Sequence, residues 1–405
     1  MKSYGRTVWI LFSMGLLLST TSSIMTPFLS LYLNKSLGVS APIIGVLYLA
    51  MGLLTLVSAP ICGTLCDRFG RKRVLVASTL TLVAGNVALA LITLAANIYL
   101  FALVYTVVSV FRIWPLVAID IVVSDVGTMR SRLEIYGLMS AGQNAGFAVG
   151  SLLGGFYAAS PTLIFAISAV VGVLPFVTGS LLMEETQPKA SGRVEGAGML
   201  GSFREVVSSA VRDRVVLAFL GILTVVALVW GQFYGLFPIY AVKYAGLSSA
   251  EVGVSYALEG SVLAILSYSV NKWASRFNLI SVYAAGALFF ALASLGVGAF
   301  TTFAGVLVFY GVGEAFAEML CGPSSRAIMA RLSPSDKRGR YMGLLYIFQK
   351  VTSYAPVVGG VLMDALAPNL MVFWLIFTIL ALLAGVLCFP LNRIAKDRLS
   401  GSTPD

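Results

Sequence analysis

Twelve apolar runs follow one another along the chain, at about 7–33, 41–64, 74–95, 97–123, 136–158, 161–183, 215–242, 249–271, 279–300, 302–329, 341–364 and 369–392. Crossing the hydrocarbon core takes about 20 apolar residues per helix. Twelve such helices use roughly 240 of the 405 residues and leave only short loops and tails. Just 11% of the residues are charged, too few to cover a water-facing surface. A soluble globular protein is excluded. The fold class is therefore all-α integral membrane, with no large extramembrane domain. Lys2 and Arg6 give the first run the look of a signal peptide, but its apolar stretch is too long for one.

A net charge of +10 would suggest nucleic acid if the charges were spread evenly. They are not. Of the 27 Lys and Arg residues, 22 fall on one side of the predicted membrane, in both tails and the even-to-odd loops. The opposite side holds only Lys35 and Lys243. Positive charge marks the cytoplasmic face, so both termini are expected in the cytoplasm of a cell with this chain in its plasma membrane. No nucleic-acid partner is expected, and a monomer is.

The longest polar stretch, Glu184 to Arg214, separates an N-terminal half (1–183) from a C-terminal half (215–405). The linker loop is 184–214. The halves repeat. Gly38, Ser40, Gly45, Val46, Tyr48 and Gly52 recur 208 positions later as Gly246, Ser248, Gly253, Val254, Tyr256 and Gly260. Arg132, Gly137, Leu138 and Gln143 recur as Arg338, Gly343, Leu344 and Gln349 at an offset of 206, and Gly154-Gly155 as Gly359-Gly360 at 205. Two parallel, pseudo-symmetric six-helix bundles with a site between them form a transporter architecture.

The loop between the second and third runs reads Gly63-Thr64-Leu65-Cys66-Asp67-Arg68-Phe69-Gly70-Arg71-Lys72-Arg73. Gly63 would let two helices approach closely, and Gly70 permits the reversal of a short loop. Asp67 can cap a helix N-terminus, and Arg71 can bridge to a second acid. This loop resembles the G-x-L-a-D-r-x-G-r-k motif of the major facilitator superfamily. The resemblance implies a cytoplasmic gate built from Gly63, Asp67, Arg68, Gly70, Arg71 and Lys72. It also implies a partner for Arg71 near the end of the fourth helix, at the position of Asp120. Glu184-Glu185-Thr186 and Pro188 look like that family's acidic close to its first half. In the fifth run, Gly142, Gly146 and Gly150 line one helix face ahead of Ser151-Leu152-Leu153-Gly154-Gly155. That stretch is similar to the family's antiporter motif, G-P-x-x-G-G, with Ser151 in place of proline. The eleventh run keeps the proline, in Pro356-Val357-Val358-Gly359-Gly360.

Charges inside a membrane are costly and usually functional. Asp120 and Arg326 lie near the cytoplasmic end, as latch or anchor residues. Arg112, Glu259, Glu314, Glu318 and Lys350 lie deeper. Glu314 and Glu318 stand four apart on one helix face, where two carboxylates resist double ionisation. The chain has no histidine, so a proton relay must use carboxylates. Glu314 and Glu318, with Glu259, Lys350 and Arg112 beside them, are the proton-coupling candidates. Arg112 resembles an arginine of the helix 4 motif in proton-coupled relatives. A guanidinium cannot carry the proton, but it can tune a neighbouring carboxylate or bind an anionic substrate. Gln143, Asn144, Gln232 and Gln349 are pocket candidates, because buried amides seek partners or ligand. Trp230 and Tyr234 join them as aromatic lining, although such stripes also serve packing.

Cys62, Cys66, Cys321 and Cys388 read as buried free thiols, and no metal or cofactor is expected. No catalytic set and no phosphate-cradling loop is present in the sequence, so an enzyme and an ATP-driven pump are both disfavoured. The expected function is secondary active transport by alternating access, with protons and a small molecule as partners. The resemblance to drug–proton antiporters implies export of small amphipathic organic compounds. A symporter or uniporter for a small polar metabolite is the alternative, and a non-transporting receptor on the same scaffold is a third.

Overall fold

The computed structural model describes residues 5–95, 97–126, 129–186, 213–333, 338–367 and 369–400. Most of the linker, with Pro188, lies outside them. The described residues form helices and no strand. In lipid a backbone has no water to satisfy it, so each spanning segment must close its hydrogen bonds internally. Among the described residues, ten helices are long and apolar enough to cross a membrane. The other two expected spans are occupied by Met129–Tyr157 and by the pair Arg338–Gln349 and Val351–Leu366.

In the first half the helices are α1 (Arg6–Ser23), α2 (Leu29–Lys35), α3 (Ala41–Phe69), α4 (Arg71–Ala95), α5 (Ile98–Arg112), α6 (Trp114–Val126), α7 (Met129–Tyr157) and α8 (Pro161–Leu182). In the second half they are α9 (Arg214–Gly235), α10 (Ser249–Ala274), α11 (Leu279–Ala299), α12 (Ala315–Leu332), α13 (Arg338–Gln349), α14 (Val351–Leu366) and α15 (Leu370–Ser400). Several expected spans are broken rather than straight. The first breaks before Pro27 and the seventh at Leu236, just before Pro238. The fourth breaks at Ile113, two residues before Pro115. Proline supplies no backbone donor and disfavours a helical residue ahead of it. The tenth instead widens into a π-helical stretch, Leu307–Glu314, that leads into α12.

The repeat is visible in the backbone. Gly38 and Gly246 both adopt positive φ, 68° and 75°. Each leads into a serine that precedes a helix, Ser40 before α3 and Ser248 before α10. At the second site Ser248 and Glu251 form a reciprocal capping box: the Ser248 N–H donates to Glu251 Oε2 (2.7 Å) and the Glu251 N–H to Ser248 Oγ (3.2 Å).

By packing, the chain divides into two compact units. One comprises Met1–Lys189, Gly235–Ile265 and Pro356–Asp364; the other comprises Ala190–Tyr234, Leu266–Ala355 and Ala365–Asp405. In the first unit, α7 lies along α1 and α8 along α4. The glycine stripe makes this possible. A Cβ on Gly146 would strike the Leu16 carbonyl, one on Gly150 the Ser23 hydroxyl, and one on Gly154 the Ile24 carbonyl. Backbone meets backbone there, as small residues allow in membranes. Glycines also seat the second-half segments of this unit. A Cβ on Gly155 would stand 2.6 Å from Gly253 Cα, and one on Gly360 would stand 2.6 Å from the Ala41 carbonyl. In the second unit α11 packs on α15 and α12, around an aromatic core of Phe233, Phe290, Tyr310 and Trp374.

Gly63 departs from expectation. A Cβ there would meet nothing within 4 Å among the described residues, so none of their helices approaches at this glycine. The contrast is measurable. Gly146→Ala and Gly154→Ala should each destabilise the fold by about 1–3 kcal/mol, the usual range for overpacking. Gly63→Ala should stay within about 0.5 kcal/mol. Thermal unfolding of the purified protein in detergent checks both, and equal losses at all three sites would refute the packing role of the stripe.

Candidate functional sites

The loop between α3 and α4 is built around Arg71. Gly70 turns the chain with φ 98°, a left-handed conformation that glycine adopts without strain. The Arg71 side chain is buried, only 7% exposed, and each of its three guanidinium nitrogens has a partner. Nε donates to Asp125 Oδ2 at 3.1 Å, Nη2 pairs with Asp67 Oδ1 at 3.2 Å, and Nη1 donates to the Cys66 carbonyl at 3.2 Å. Glu185 closes the loop from the end of α8. Its carboxylate accepts from the N–H of Arg71 (2.9 Å) and of Lys72 (3.3 Å), the first two residues of α4. A carboxylate at a helix N-terminus satisfies orphan donors and complements the dipole. Thr186 Oγ1 adds a bond to Asp125 (3.2 Å). Arg68 lies over the Phe69 ring at 5.2 Å.

The partner of Arg71 is thus Asp125, not Asp120. The fourth span runs to Val126, beyond the residue 123 where hydropathy ends it. Asp120 sits five residues deeper, about 7.5 Å along the axis. Its side chain takes no part in the Arg71 network, and its backbone carbonyl accepts from the Tyr136 hydroxyl (3.3 Å). Asp125 and the capping role of Glu185 escaped the sequence reading. A helix end placed one turn further on would have found the first.

The acids predicted for coupling lie in membrane-spanning helices, Glu259 and Glu314 buried and Glu318 half-buried. Glu259, on α10 in the first unit, is fully buried. In the second unit Glu314 is fully buried at the last residue of the π-helical stretch, and Glu318 lies one turn on, in the first turn of α12. Lys350 stands at the break between α13 and α14. Arg112 ends α5 in the first unit. Its Nη1 donates to the hydroxyls of Thr26 (2.7 Å) and Tyr105 (3.1 Å), and its guanidinium lies 5.3 Å from the Tyr105 ring centre.

The pocket candidates separate. In the second unit Trp230 and Gln349 line a cavity of about 20 Å³ with Tyr283, Ser325 and Thr352. That is room for about one water molecule, not for an organic substrate. Gln349 Nε2 donates to Ser325 Oγ (3.1 Å) there. Tyr234 packs edge-on to Trp230 at 6.1 Å. Gln232 is fully buried, and its amide nitrogen bonds the carbonyls of Leu228 (2.9 Å) and Ala355 (3.1 Å). That donor ties α9 to α14. In the first unit Gln143 packs beside Gly15, and the Asn144 carbonyl lies 2.8 Å from where a Cβ on Gly260 would stand. All four cysteines are free and buried.

Comparison with known proteins agrees with this architecture. The sequence profile of the Major Facilitator Superfamily matches residues 11–349 and 246–404. Multidrug resistance protein MdtH of Aeromonas hydrophila is 27% identical over 364 residues, covering 87% of this chain and 86% of its own. A Na(+), Li(+), K(+)/H(+) antiporter of Planococcus maritimus is 24% identical, covering 84% of this chain and 85% of its own. Among solved structures, a POT family transporter in complex with 5-aminolevulinic acid superposes with a TM-score of 0.80. It covers 99% of this chain and 98% of its own at 11% identity, a likeness of fold. The chain belongs to the Major Facilitator Superfamily: it is a multi-pass membrane transporter of small molecules and not an enzyme.

Proposed function

We propose that this transporter exports small amphipathic organic compounds in exchange for protons, by alternating access, from the cytoplasm across the plasma membrane with both termini inside. The carrying observation is the placement of Glu314 and Glu318. Two acids one turn apart lie inside a spanning helix, where π-helical backbone passes into α-helix. Such wide turns are frequent at functional sites, and intramembrane acids mark proton and ion pathways. A chain without histidine has few other groups to move a proton near neutral pH. The names of the two relatives, one a multidrug resistance protein and one a cation/proton antiporter, support the same reading.

Symport or uniport of a polar metabolite is the second reading, favoured by Ser151 where the antiporter motif has proline. Proteoliposomes loaded with a pH-sensitive dye and offered a panel of amphipathic and polar compounds separate the readings. Exchange predicts that compound entering down its gradient drives protons out. Proton movement in the same direction as the compound would establish symport, and compound flux with no proton movement would establish uniport.

A further inference from the structure

The guanidinium of Arg112 is held in the first unit by hydroxyls. Among the described residues no carboxylate forms an ion pair with it. Both of its hydrogen bonds, to Thr26 and Tyr105, leave from Nη1. A guanidinium carries five N–H donors in a rigid fork. The Nε–Nη2 edge, the one that grips a carboxylate bidentately, donates to nothing among the described residues. The side chain is only half-buried, so that edge is reachable. Tyr105 itself is buried and stacked on Phe101, with ring centres 5.6 Å apart, which fixes the Nη1 side of the fork. Nearby, Tyr48 on α3 faces Ser30 on α2 and lies within electrostatic reach of Arg112 and Tyr105. The Tyr48 and Ser30 hydroxyl oxygens are buried and face each other, and neither makes a well-aligned hydrogen bond to any other group among the described residues.

A fixed cation with an unspent bidentate edge, beside the Tyr48–Ser30 hydroxyl pair, forms a receptor for an anionic group. We propose that Arg112, with Tyr48 and Ser30, binds the anionic head of the transported compound, so that the substrates are amphipathic organic monoanions or zwitterions. This deepens the export reading above and rests on it for the word "transported". The carboxylate, sulfonate or phosphonate of the ligand would accept from Nε and Nη2 and supply the charge that the site lacks. Its apolar body would remain free to occupy the rest of the path. An amphipathic cation is disfavoured, because its charge would meet an arginine that stays protonated at any working pH.

Binding is measured on the full chain in detergent with four probes of one shape: 2-naphthoate, 2-naphthalenesulfonate, 2-naphthamide and 2-naphthylmethylammonium. At least one anion is expected to bind tenfold or more tightly than the amide, with the ammonium weakest. Arg112→Gln should erase the preference for anion over amide, and Arg112→Lys should keep part of it. Tyr48→Phe, which leaves the cation in place, should weaken the anion severalfold and leave the amide unchanged. A melting curve identifies any variant that fails to fold, and the Tyr48→Phe result then decides alone. Equal binding of anions and amide by the wild type, no binding of either anion, or a preference that survives Arg112→Gln would overturn the proposal. The liposome panel is a separate readout. Loss of transport for every compound with Arg112-dependent anion binding intact would sink the export reading and leave this site standing.

Discussion

Glutamine at position 314 or 318 is expected to abolish proton-driven uphill transport while leaving exchange without a gradient. Glutamine has the shape of a protonated glutamate but can neither release nor take up a proton. If either acid is the carrier, its variant can no longer carry the proton half of the exchange, while the substrate half needs no change of charge at that site. Substrate should still bind, and labelled substrate should still exchange for unlabelled substrate across a liposome with equal pH on both sides. Accumulation should collapse. For one-for-one exchange a gradient of one pH unit supports about a tenfold concentration ratio, about 1.4 kcal/mol, so the ratio should fall from about ten to one.

Glu259→Gln belongs in the same series, because Glu259 is equally buried and its repeat-equivalent is Met51. Glu251→Gln is the control. Glu251 is a helix-capping acid bonded to Ser248, so that change should cost a few tenths of a kcal/mol to about 1 kcal/mol of stability and leave coupling alone. Variants at all three intramembrane acids that keep full gradient-driven accumulation would show that these carboxylates do not couple, and uniport would become the better reading.

The all-helical membrane-spanning fold and the glycine packing face were legible because each rests on periodicity and residue size. Gly38 and Gly246 illustrate this, since the same residue type 208 positions apart takes the same positive φ. The breaks were harder to read. Pro27, Pro115 and Pro238 interrupt runs that hydropathy treats as continuous, because a hydropathy window counts apolar atoms and ignores a missing N–H. Side-chain partners were hardest. The loop motif identified Arg71, but whether it meets Asp120 or Asp125 depends on how far α6 extends past its apolar part. Arg112 shows the same limit. Its depth was readable, but that hydroxyls rather than a carboxylate would hold it was not. Gln232 looked like a pocket amide and instead bonds a neighbouring helix's backbone.

The Arg71 network predicts an order among substitutions that the loop motif alone does not. If the network acts as a latch on the cytoplasmic side, weakening it should shift the population toward the state open to the cytoplasm. Arg71→Ala should have the largest effect. It removes a buried cation from two acids and a carbonyl, a loss of about 2–4 kcal/mol once partial exposure is allowed for. Asp125→Asn should follow. It keeps the shape but removes the charge that meets Nε and accepts from Thr186. Asp67→Asn should matter least for this network. Its side chain is 68% exposed, and an exposed pair is worth about 0–1 kcal/mol. A reporter cysteine at the cytoplasmic mouth reads the shift as a change in labelling rate. Background is low because all four native cysteines are buried. A coupling of about 1–3 kcal/mol changes the population about 5- to 150-fold, well within reach of the assay. Labelling that is unchanged in both Arg71→Ala and Asp125→Asn, with transport intact, would leave the network a loop anchor and nothing more. An Asp67→Asn effect as large as that of Asp125→Asn would have a different meaning, because Asp67 would then act through a contact outside the Arg71 network.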